Sequence, residues 1–162
     1  MYTRLENGLK LLNLAPASLD GRLAVNDNAM CCPLKDCASA EWYDAYEDER
    51  CPQGSRVESV TISKSSAGEW QERQTLVLTI SLASALGTGK ILLIYKGVSS
   101  YSLECFGYDD KSQGLGVWLQ DEVGATKHDF LSHEVTLTHG KINVEAGDAE
   151  YQWQALKPGI SS

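Results

Sequence analysis

The chain has 162 residues, with 14 Lys and Arg against 22 Asp and Glu, a formal net charge of −8 at neutral pH. Hydrophobic residues make up 43% and charged residues 22%, the balance of a folded domain and not of a disordered chain. So acidic a chain lacks the basic footprint that nucleic-acid binding requires, and it suits a basic partner instead.

The length fits a single domain over 1–162, with a cysteine-rich and acidic region over 1–55 and a β region over 56–162. Its longest apolar run is the five-residue Ile91–Tyr95, far short of the roughly 20 residues that cross a bilayer as a helix. The first eight residues carry no apolar signal core, so the expected location is the cytoplasm.

Residues 1–28 contain two turn dipeptides, Asn7-Gly8 and Asp20-Gly21, both suited to the positive φ of tight hairpins. Between them, the run Leu9–Leu14 reads as a strand or a short helix, ended by Pro16. Five cysteines follow, Cys31, Cys32, Cys37, Cys51 and Cys105. Zinc ligands pair as C-x2-4-C, whereas Cys31 and Cys32 are adjacent and the rest follow irregularly. No metal is expected. Reduced thiols are, with a zinc site and a disulfide as the alternatives.

Residues 39–50 are the best helix candidate. Ser39 stands where a cap would, Glu41 lies in the first turn, and Trp42, Ala45 and Tyr46 fall at i, i+3 and i+4 as a buried stripe. Cys51-Pro52 stops the helix. Acid at the C-terminal end opposes the helix dipole, so helix stability does not explain Glu47, Asp48 and Glu49. A protein-binding face does. Carboxylates at Glu41, Asp44, Glu47, Asp48 and Glu49 would steer a basic partner, with Tyr43 as an aromatic anchor. A second candidate face carries Asp109, Asp110, Asp121 and Glu122.

From residue 56 the period becomes two. Val60 and Ile62, Leu76 to Leu82, Ile91 to Tyr95, Tyr101 to Cys105, Val117 and Leu119, Leu131 to Leu137, Ile142 and Val144, and Tyr151 and Trp153 read as about eight short strands. The connections are too short for crossover helices, so the strands are antiparallel. The fold class is mainly β (α+β), a curved antiparallel sheet or a sandwich with one short N-terminal helix.

Two stretches imitate known motifs. Ser84–Ile91 lacks the first glycine and the terminal Ser or Thr of a phosphate loop, and reads as a hairpin turn. His133 and His139 are six apart in a strand pattern, about 20 Å, so they share no metal. His133 falls on the face of Val135 and Leu137, as an inward histidine with its hydrogen bonds satisfied. No cofactor motif and no cysteine or serine nucleophile signature is legible. Two other functions stay open: a carbohydrate- or ligand-binding module using the four tryptophans, and a thiol- or zinc-dependent enzyme.

The stretch His133–Ala146 through Glu150–Trp153 has a His-Glu strand, a polar-Gly turn, an acidic strand and an aromatic ending. It resembles the closing hairpin of bacterial immunity proteins paired with polymorphic or contact-dependent growth-inhibition toxins. The resemblance implies a non-enzymatic inhibitor that covers the active site of a cognate, basic toxin domain.

Overall fold

The computed structural model describes residues 29–70, 73–106 and 114–156. The turns at Asn7-Gly8 and Asp20-Gly21, the run Leu9–Leu14, and Asp109 and Asp110 lie outside them. Cys31–Trp153 forms one compact unit, while Ala29, Met30 and residues 154–156 fall in a second. All that follows concerns the first unit.

In chain order the elements are β1 (Ala29–Pro33), α1 (Leu34–Cys37), a 3-10 turn (Glu41–Asp44), β2 (Arg56–Ala67), β3 (Arg73–Ala83), β4 (Gly89–Cys105), β5 (Trp118–Ala125), β6 (Leu131–Leu137) and β7 (Gly140–Ala155). The sheet is mainly antiparallel and runs β2-β3-β4-β7-β6-β5, with β1 also pairing with β7. The alternating residues are what bury it. Leu78, Ile80 and Leu82 of β3, Ile91, Leu93 and Tyr95 of β4, Val135 of β6 and Ile142 of β7 all have 0% exposure, since every second side chain of a strand points to the same face. The first and last strands of the path touch at one end. Arg56 bridges Val117 there, and the Val57 and Trp118 amides donate to Gly116 and Ser55. The sheet is curved but not closed.

Two hairpins show why the chain turns where it does. Between β3 and β4, the Ser84 hydroxyl accepts the amides of Thr88 and Gly89 at 3.1 and 3.2 Å, with Gly87 at φ 73°. The stretch that imitates a phosphate loop is therefore a hairpin turn, as its flanks predict. Between β6 and β7 only Thr138 and His139 separate the paired Leu137 and Gly140.

The N-terminal region departs from the expected helix over 39–50. The α-helix is Leu34–Cys37, and residues 41–44 make a single 3-10 turn that leaves Ala45 extended. Ser39 does not start a helix; its hydroxyl donates to the Lys35 carbonyl at 3.0 Å, behind α1. The buried stripe is also wrong. Tyr43 is 3% exposed, whereas Tyr46 is 74% exposed. Tertiary contacts override the helical pattern: Trp42 packs on Tyr151 with centroids 5.2 Å apart and under the Arg50 guanidinium at 4.6 Å. A regular helix cannot satisfy both contacts while also turning Tyr43 inward.

The cysteines depart too. Cys32 and Cys37 form a disulfide, with Cα atoms 6.2 Å apart, within the usual span of such bridges. The chain therefore does not hold five thiols in this structure.

Candidate functional site

Asp121 is the centre of a buried polar chain, and a β-bulge puts it there. In the β5–β6 ladder the register shifts between Trp118 and Gln120. Two residues, Leu119 and Gln120, then face outward in succession, so Trp118 and Asp121 both face inward. The plain alternation that would bury Leu119 fails for this reason: Leu119 is 49% exposed and Trp118 0%. Asp121 opposes Val135 and His133 opposes Val123, which makes Asp121 and His133 diagonal neighbours on the inner face.

Their side chains meet there. His133 Nε2 lies 2.6 Å from Asp121 Oδ2, and Tyr43 donates to the same oxygen at 2.7 Å. The Trp118 indole donates to Oδ1 at 3.3 Å. Behind them the Tyr95 hydroxyl lies 2.6 Å from His133 Nδ1. A carboxylate only accepts, so His133 Nε2 donates to it, and Nδ1 pairs with the Tyr95 hydroxyl. Burial, and secondarily the charge of Asp121, push both Tyr43 and Tyr95 well above the ordinary phenol value. Both phenols therefore remain protonated. His133 is the inward, satisfied histidine that strand alternation predicts, at 1% exposure.

Asp121 and Tyr43 also line a cavity of about 950 Å³. One wall comes from α1 and its flanks, with Pro33, Lys35, Asp36, Ala38 and Ser39; β5 contributes Val123 to Ala125, and β7 contributes Gly147 to Ala149. Asp129 reaches it from a turn in which the Thr126 amide donates to the Phe130 carbonyl at 2.7 Å and the Thr126 hydroxyl accepts the His128 and Phe130 amides. Its φ of 62° is one that Asp tolerates better than most residues. The charged residues lining the cavity are Asp36, Asp44, Asp121, Asp129 and Asp148 against Lys35 alone. Like charges around a concave wall add their fields, so the cavity attracts cations.

Of the six residues expected to bind a partner, four are exposed and two are engaged within the chain. Glu41, Asp44, Glu47 and Glu49 are exposed, and Asp44 lines the cavity. Tyr43 is turned inward onto Asp121, so it presents no aromatic anchor to solvent. Asp48 is engaged within the chain, taking the Arg50 Nε and Nη2 protons at 2.8 and 2.7 Å and the Arg50 amide at 2.9 Å. This pairing, through the side-chain hydrogen bond first, lowers the Asp48 carboxyl below its ordinary value. Of the second candidate face, Asp121 is inside the fold and Glu122 is exposed opposite Glu134. Trp118 and Trp153 are buried, at 0% and 5% exposure.

Asp36, Asp129 and Asp148 carry no local motif that marks them in the sequence; the signal available was the overall acid excess. Among the described residues no group of three His, Cys, Asp or Glu side chains is placed to hold a metal ion, and no helix is long and apolar enough to cross a membrane. Comparison with protein-family models, curated proteins and solved structures gives no match.

Proposed function

We propose that this chain is an inhibitor that receives a basic segment of a partner protein in its acidic cavity, in the manner of an immunity protein covering the active site of its toxin. The observation that carries this reading is the cavity of about 950 Å³ lined by five aspartates and one lysine. Enzymes that act on nucleic acid hold phosphates with Lys and Arg, and carboxylates standing in for phosphates complement such a surface. Inhibition by occlusion needs no reaction at this chain; it needs an acidic wall, to which Asp36, Asp44, Asp129 and Asp148 contribute.

The test is capture from the native host with the immobilised chain, followed by mass spectrometry and kinetics on the purified pair. The reading expects a basic partner whose association slows at least tenfold when Asp36, Asp44 and Asp129 are all changed to Asn, and slows further with salt in the unmodified protein. Unchanged association by the triple variant, or a captured partner that is acidic, would reject it.

A further inference from the structure

α1 cannot hold itself in place. It has four residues and no side-chain cap at its N-terminus, and isolated helices shorter than about 12 residues are marginal in water. Yet with its flanks it builds a whole wall of the cavity. What fixes it is Leu34 at 0% and Cys37 at 2% exposure, together with the bond from Cys37 back to Cys32 on β1.

We propose that the Cys32–Cys37 disulfide is a redox latch on the cavity wall, opened by an external dithiol. Cys32 is the sulfur an incoming thiolate reaches, being half-buried where Cys37 is closed off. Attack at Cys32 breaks the S–S bond; Cys37 leaves as a thiolate and takes up a proton. The second thiol of the reductant then attacks the mixed disulfide and releases Cys32 as a thiol. Two electrons and two protons pass to the protein, and the reductant departs as a disulfide.

The chain's other cysteines are poorly placed to do this from within. Neighbouring residues of a strand point to opposite faces, and the Cys31 thiol meets the Glu150 carboxylate. Cys51 donates to the Tyr43 carbonyl at 3.0 Å, and burial pushes its thiol up. Cys105 lies at the end of β4. The switch therefore answers to the redox state of the surroundings and not to reshuffling.

Once open, the wall loses the constraint that closes its short loop, while the sheet behind keeps its own core. The test is amide hydrogen exchange on the full chain after equilibration with oxidised glutathione and again after dithiothreitol, with Cys32→Ser as a permanently open form. Amides of residues 34–44 should exchange roughly 10–50-fold faster when reduced, and equally fast in C32S, while those of β3, β4 and β6 keep their protection. Thiol titration of the denatured protein should count three before reduction and five after it. Unchanged exchange over 34–44 would overturn the proposal. So would loss of protection throughout the sheet, which would make the bond a staple of the whole fold, or five thiols after oxidation. None of these readings involves a partner, so the latch stands or falls separately from the inhibitor reading.

Discussion

Asp121 is a single carboxylate with three donors on it, and its two ends differ in what can replace a lost bond. Tyr43 approaches from the cavity side, where water can take the place of a missing hydroxyl. Tyr95 approaches His133 where both side chains are closed off, at 0% and 1% exposure. Tyr43→Phe should therefore cost about 1 kcal/mol, and Tyr95→Phe about 2–3 kcal/mol, because the second leaves a buried ring nitrogen with no hydrogen-bond partner. Thermal melts of the two variants check the order; a larger loss for Tyr43→Phe would contradict it. Asp48 gives a pH dependence. Its folded carboxyl sits below the ordinary 3.8, so its contribution is fully present above that value and disappears as pH falls through the lowered one. Both partners are partly exposed, at 23% and 33%, which holds the contribution to about 1 kcal/mol or less. Between pH 5 and pH 2, Asp48→Asn should lose less stability than the parent chain in denaturant titrations.

At the level of elements, the antiparallel β character was legible, while strand lengths and irregularities were not. Alternation identifies β3 and β6, and it places His133 inward without any structure. But it cuts β4 into Ile91–Tyr95 and Tyr101–Cys105, and β7 into Ile142–Val144 and Tyr151–Trp153, where each is one continuous strand, and it misses β1. It misassigns the start of β5, since a bulge shifts the period by one residue and leaves no mark in composition. It fails at residues 39–50 because Trp42, Tyr43 and Tyr46 fit a helix as readily as the turn that Arg50, Tyr151 and Asp121 impose. Contacts so distant in sequence are invisible to a local pattern. The Cys32–Cys37 bond was one alternative among several, as spacing alone cannot decide pairing. The tight β6–β7 connection carries its own prediction. A Cβ on Gly140 would collide with the Glu104 carbonyl oxygen of β4 and with the Leu115 side chain, and backbone cannot yield as a flexible side chain does. Gly140→Ala should cost on the order of 2–3 kcal/mol by chemical denaturation. Gly124→Ala, where a Cβ meets nothing within 4 Å, is the control that should stay within about 1 kcal/mol.

For the whole molecule, a net charge of −8 was the clearest pointer to a cation-seeking surface, and the structure concentrates part of that charge around one cavity instead of one helix. The sheet order has a kinetic consequence as well. Its central neighbours β4 and β7 are separated along the chain by β5 and β6, and the corner bridge joins Arg56 to Val117. Neither contact can form until a long loop has closed, and domains dominated by such distant pairings fold in milliseconds to seconds, well behind helical bundles. Stopped-flow refolding followed by tryptophan emission should fall in that range. The hairpins of consecutive strands, β2–β3–β4 and β5–β6–β7, can assemble early; the corner has to wait for both. A chain leaving the ribosome would accordingly expose the apolar face of its first hairpin until β7 has been made, and that interval is when it would be most prone to pair with a neighbour instead of with itself.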